Sequence, residues 1–154
     1  FSANEPAHGA RIYVQGTDDA RPRAISPEGY RAFDRSISPD GKLVAVIGPD
    51  QKQYLYPVEG GEPSAIPGLV AGDIPASWTA DGRSLLIGRR GEVPLKVFQL
   101  DLRTGRKELW KELIPPDPAG ITTIGRVAVT PDGKSYAYSY VRSLADLYVV
   151  EGLK

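Results

Sequence analysis

A chain of 154 residues, 41% apolar and 25% charged, has room for one ordinary globular domain and is not disordered in composition. Its 19 basic residues balance its 19 acidic ones, which excludes a global pull toward nucleic acid or an anionic membrane surface. With no cysteine there are no disulfides, thiolate nucleophiles or Cys-based metal sites, and no run approaches the roughly 18 apolar residues that span a bilayer.

In chain order, the first elements expected are two strands at 11–15 and 22–25, with Phe1-Ser2 as the end of a strand before them. Ser38-Pro39-Asp40-Gly41-Lys42 is a turn sequence, in which Asp-Gly supplies the positive φ values of a two-residue hairpin loop. A strand closes into it at 36–38. Leu43-Val44-Ala45-Val46-Ile47 leaves it as a nearly unbroken apolar run, the pattern of a strand buried on both faces. Gly48-Pro49-Asp50 breaks that run, a third strand spans 53–58, and a Gly60-Gly61 turn leads to a fourth near 64–66.

The plan then repeats. The turn returns as Thr79-Ala80-Asp81-Gly82-Arg83, with strands expected at 76–79, 84–87, 95–102 and 107–110. A third copy is Thr130-Pro131-Asp132-Gly133-Lys134, with strands at 127–129, 136–140 and 147–150 and no fourth. The extra length before it, at 114–123 around Pro115-Pro116, reads as a surface loop, because consecutive prolines do not join a central ladder. No segment carries sustained helical periodicity.

Two markers run in phase. Asp40, Asp81 and Asp132 are 41 and 51 residues apart. An aliphatic-aromatic pair, first seen at Ile12-Tyr13, recurs at Leu55-Tyr56, Val97-Phe98 and Leu147-Tyr148, 15, 16 and 15 residues after the turn glycines Gly41, Gly82 and Gly133. Four-stranded units of about 40 to 45 residues are the signature of β-propeller blades. The expected fold is all-β: a partial propeller of about three to four blades of four-stranded antiparallel sheets. It forms one segment, 1–154, with blade pieces 1–30, 31–70, 71–113 and 120–154.

The Ser-Pro-Asp-Gly-Lys form resembles the WD40-like propeller repeat of bacterial TolB-type proteins over nearly the whole chain. The stretch from Tyr136-Ala137-Tyr138-Ser139-Tyr140 to Gly152-Leu153-Lys154 is similar to the C-terminal ends of bacterial serine/threonine protein kinases that carry such a propeller after the kinase domain. This resemblance implies a non-catalytic interaction or sensor module at the C-terminal end of a larger bacterial protein. The rivals are the propeller of a prolyl-oligopeptidase-like hydrolase and a TolB-like periplasmic scaffold.

Candidate chemistry is sparse. His8 is the one histidine; it makes no zinc site alone, and no Gly-x-Ser-x-Gly elbow presents a serine to it. No phosphate loop, His-Arg-Asp or Asp-Phe-Gly motif is present, so no catalytic residue, cofactor or metal is assigned. The turn residues Asp40, Gly41, Asp81, Gly82, Asp132 and Gly133 are structural, each carboxylate accepting local backbone N–H bonds rather than binding calcium. The Asp18-Asp19 pair reads as a solvated turn, and Arg83, Arg89 and Arg90 as solvated strand edges. Tyr13, Tyr56, Phe98 and Tyr148 are expected to pack between blades, and Tyr136, Tyr138 and Tyr140 to share one face of a strand.

Trp78, on an innermost strand, is the one candidate for lining a central channel or touching a partner. The expected partner is a protein or peptide, with no nucleic acid and no membrane insertion, contacted through the loops at 68–75 and 115–123. About 13 strands fall short of the 24 to 32 of a closed ring. Two open faces on the order of 400 Å2 each forfeit about 20 kcal/mol, more than a domain's ~5–15 kcal/mol of stability. Missing blades or a second copy are therefore expected to cover them. The absence of a Met at position 1 and of a signal peptide reads as a chain that begins within a longer protein, and the lack of cysteine fits an extracytoplasmic one.

Overall fold

The computed structural model describes residues 1–18, 21–89, 91–130 and 132–145, with the backbone alone at 34 and 35. The strand expected at 147–150, its Tyr148, and Asp19, Arg90 and Pro131 lie outside the described residues. Every regular element among those described is a strand, and all pairings are antiparallel.

The first sheet has the order β1 (Ser2–Ala3), β2 (Arg11–Val14), β3 (Arg23–Ala24). The second runs β4 (Arg31–Ile37), β5 (Leu43–Ile47), β6 (Gln53–Pro57), β7 (Ser64–Ala65). The third runs β8 (Asp73–Trp78), β9 (Ser84–Arg89), β10 (Leu95–Asp101), β11 (Lys107–Leu113). The last pairs β12 (Ile121–Val129) with β13 (Tyr136–Arg142). Each sheet is a meander of sequential strands, and β4, β8 and β12 run side by side as the inner strands. This is a partial β-propeller.

One apolar cluster fills each seam between neighbouring sheets. Ile12 and Ile25 meet Val44, Val46, Tyr56 and Val58 in the first seam. Ala45, Leu55 and Ile66 meet Trp78, Leu85, Ile87 and Leu100 in the second. Leu86, Leu95, Val97 and Leu113 meet Ile124 and Val129 in the third. The central strands β5 and β9 contribute to the seams on both sides, which is why their sequences are apolar at consecutive positions rather than alternating. Tyr56 and Phe98 occupy equivalent places in two seams.

Tyr136, Tyr138 and Tyr140 share the face of β13 turned toward the third sheet. Trp110 meets Tyr136 edge-on at 5.8 Å, and Tyr138 packs into the third seam. A bulge in β11 opposite Val97 and Phe98 also aims Lys111 at this face, where its Nζ lies 4.4 Å from the Tyr136 ring centre.

Several expected boundaries are corrected. Two inner strands begin earlier than the sequence pattern suggests, at Asp73 and Ile121 rather than 76 and 127, and the strand expected to close at 36–38 starts at Arg31. The loops expected at 68–75 and 115–123 are correspondingly shorter, since Asp73 to Pro75 and Ile121 to Thr123 are already strand. Pro75 is tolerated in β8 because the ladder shifts register between Pro75 and Ser77. Phe1 stacks on Tyr13 at 5.6 Å, leaving Tyr13 buried, while Ala137 and Ser139 are the small exposed residues of β13 beside Val141.

Candidate functional site

The three Asp-Gly turns lie at one end of the sheets, and their geometry differs from a two-residue hairpin. Gly41 N–H donates to the Ser38 carbonyl (2.9 Å), and Ser38 N–H to the Leu43 carbonyl (2.8 Å), which makes a four-residue loop around a tight turn. Only the glycine has positive φ, at 72° for Gly41, 68° for Gly82 and 68° for Gly133; each aspartate does not. The residue before the turn explains the aspartate. Ser38 Oγ donates to Asp40 Oδ1 (2.6 Å) and accepts from Leu43 N–H (2.9 Å), while the same carboxylate oxygen accepts from Lys42 N–H (3.1 Å).

Thr79 with Asp81, and Thr130 with Asp132, repeat this arrangement bond for bond. The hydroxyl donor and then the backbone N–H hold Asp40, Asp81 and Asp132 below the ordinary carboxylate range. The carboxylates are thus engaged in their own turns.

What the turns surround is a cavity of about 890 Å3 where β4, β8 and β12 end. Ser38, Pro39, Ala80, Thr130 and Ser135 rim it, Ile37, Trp78, Val129 and Tyr136 wall it, and Ser77, Ala128 and Ala137 complete it. A Cβ on Gly82 would sit 3.6 Å from Pro39 Cδ, so neighbouring turns touch around the opening. Ile37 is 52% exposed, an unusual state for a strand-end isoleucine. Trp78 is 7% exposed: its ring lies in the second seam, and Nε1–H donates to the Ser36 carbonyl (2.9 Å) in the neighbouring sheet. It therefore joins two sheets and presents only part of its surface to the cavity.

At the opposite end the loops at 66–72 and 114–120 carry exposed Val70 and Ile114. Arg142 secures the second loop, with Nη1 donating to Asp117 Oδ2 (2.9 Å) and Nη2 to the Asp117 carbonyl. On one face of the third sheet at this end lies a second cavity, of about 500 Å3, lined by residues of β8 to β11 and the loop between β9 and β10. Buried Asp73 stands beside it, accepting from Arg89 Nη2 (3.1 Å), from Lys107 Nζ and from Val70 N–H (3.2 Å). Burial pushes its pKa up, but the bonds from Lys107, Val70 and Arg89 outweigh burial and hold the carboxyl below its usual value.

His8 sits apart from both cavities, exposed, with Nδ1 2.8 Å from Glu28 Oε1. The sequence offers Trp78 for the turn-end lining, places Tyr136 only on a shared strand face and leaves out Ile37, Asp73 and Lys107; Arg89, expected as a solvated edge, is instead paired with buried Asp73. The signal for Ile37 and Tyr136 was present: equal offsets from equivalent turns put residues at the same end of neighbouring sheets. Asp73, Arg89 and Lys107 are 16 and 34 residues apart and carry no local pattern.

No protein-family model matches the chain, and no curated protein matches it. Among solved structures it is similar to the crystal structure of TolB from Acinetobacter baumannii, with a TM-score of 0.61 and 18% identity. The alignment covers 88% of this chain and 33% of TolB, so the chain spans about a third of that structure's length. At this identity the likeness shows the fold, a TolB-like β-propeller.

Proposed function

We propose that this chain is a non-catalytic module of a larger bacterial protein, binding a protein or peptide partner at the turn-end cavity. The observation that carries this reading is the lining. Among the described residues the cavity presents Ile37, Trp78, Val129, Tyr136 and small residues, with no carboxylate, histidine, lysine or arginine. Such a surface excludes water from an apolar side chain and has no acid-base pair near neutral pH. Its size lies within the ~300–1,000 Å3 of ligand pockets.

A finer reading, that the parent is a serine/threonine kinase-like receptor, rests on the sequence of 136–154 alone. The coding sequence before Phe1 tests it directly: a kinase domain there supports the receptor, and its absence removes it.

Selection of random peptides on the immobilised chain tests the binding reading. Enriched peptides are expected to share an apolar anchor, and Ile37→Asp is expected to abolish their binding while leaving the fold intact by circular dichroism. Failure to enrich any sequence, or enrichment indifferent to Ile37→Asp, would overturn it.

A further inference from the structure

The second cavity has a distribution of charge that the turn-end cavity lacks. Arg89 on β9, Lys96 on β10 and Lys107 on β11 line it from three adjacent strands of one sheet. The anion that balances two of them is hidden: the Asp73 side chain is 7% exposed, whereas Arg89 is 47% and Lys107 25% exposed. Seen from solvent, Asp73 is at the floor, and Arg89, Lys96 and Lys107 stand nearer the mouth with Glu92 beside Arg89. Lys96 is exposed and makes no ion pair among the described residues. Glu92 also lines the cavity and pairs with Arg89 Nη1 at 3.8 Å, beyond hydrogen-bond reach, so three cations face two carboxylates there. Phe98 supplies an apolar wall beside these charges.

We propose that this cleft on the third sheet binds a carboxylate joined to an apolar body. The carboxylate sits between Arg89 and Lys96, where planar guanidinium donors and an unpaired ammonium complement its two oxygens. The apolar body lies against Phe98. Asp73 positions Arg89 and Lys107 and does not touch the ligand. A cluster serving only to tie together strands of the third sheet needs Asp73 and its two partners; it has no use for Lys96. The site is separate from the turn-end cavity, and its occupancy does not depend on peptide binding there.

A free C-terminus of a peptide and a small organic acid share this chemistry, and the test separates them. The full chain is titrated, with nitrogen-15 amide spectra as readout, using N-acetyl-leucyl-phenylalanine, the same dipeptide as its C-terminal amide, and 3-phenylpropionate. The acids are expected to shift the amides of 88–98, with affinity falling about tenfold or more for the amide and for Lys96→Ala, and further for Lys96→Glu. Binding of the dipeptide acid alone identifies a peptide terminus; equal binding of phenylpropionate identifies a small acid. Arg89→Gln is expected to act like Lys96→Ala, and because Lys96 is exposed its variants keep the test intact if Arg89→Gln is destabilised. No shift at millimolar acid, equal binding of the amide, or affinity unchanged in Lys96→Glu would overturn the proposal.

Discussion

Asp73→Asn changes one buried carboxylate into a neutral amide of nearly the same shape, and its effect can be worked from its partners. The carboxylate accepts from Lys107, from Arg89 at 3.1 Å and from Val70 N–H at 3.2 Å. A bond between charged groups contributes about 1.5–3 kcal/mol when shielded from water, and about 0.2–1 kcal/mol at an exposed site. Lys107, at 25% exposure, belongs nearer the first range, and half-exposed Arg89 nearer the second. Because both cations regain water when the charge is lost, the expected cost is about 2–3 kcal/mol, below the ~3–5 kcal/mol of breaking a fully buried pair. For a domain of this length that lowers Tm by roughly 5–10 °C. The folded carboxyl titrates below its unfolded value of about 3.9, so its contribution is complete above that pH and is lost as pH falls through the folded value. Urea unfolding followed by tryptophan fluorescence is expected to show a constant deficit for Asp73→Asn between about pH 5 and pH 8 that narrows below about pH 4. A deficit under about 0.5 kcal/mol, or one that persists undiminished in acid, would show that the Asp73 carboxylate does not tie β8 to β9 and β11 as argued.

Trp78→Phe keeps an aromatic in the second seam but leaves the Ser36 carbonyl without its indole donor; a loss of about 1–3 kcal/mol is expected in urea unfolding. A wild-type midpoint would mean that water replaces the donor there. Gly82→Ala forces a Cβ into a φ of 68° and is expected to cost about 1–2 kcal/mol in thermal melts, with Gly82→Asn costing less. Asp81→Ala removes the acceptor for Thr79 and Arg83 and is expected to lower Tm at neutral pH. The folded pKa of Asp81 is depressed, so this difference is expected to fade as pH falls through it.

The sheet order and phase were legible because they rest on local chemistry. A turn glycine at positive φ and an aliphatic-aromatic pair at fixed offset mark each unit without reference to the rest of the chain. β5 was bounded at Leu43 and Ile47 because its burial on both faces leaves no polar residue to confuse its limits. The inner strands were not so legible. Asp73 and Pro75 in β8, and Gly125 in β12, are poor strand formers. They are strand because β9 and β13 offer backbone partners, a bulge accommodates Pro75, and Arg89 and Lys107 neutralise Asp73. The turn-end cavity was half legible: three equivalent turns fix one rim, but the 52% exposure of Ile37 depends on what packs beside it.

The three seams make the arc nearly one-dimensional, since each apolar cluster joins two neighbouring sheets. Stability then divides into terms for single sheets and for the seams between them, and the place of a lost contact decides what unfolds. Leu100, fully buried in the second seam, and Ile124, buried in the third, form the comparison. Truncating either to alanine removes about 2–5 kcal/mol of packing. Leu100→Ala cuts the arc between its second and third sheets and is expected to speed amide exchange across 31–113. Ile124→Ala is expected to release the last sheet alone, accelerating exchange at 121–142 while β5, β6 and β9 keep their protection. Uniform acceleration in both variants would show a single cooperative unit and refute the additive picture. The distinction bears on the turn-end cavity. Val129 and Tyr136 form a wall that depends on the last seam, whereas Ile37 and Trp78 form a wall held by the second. A ligand gripping both walls must therefore close the third seam as it binds, and its affinity is expected to fall in Ile124→Ala even though Ile124 does not line the cavity.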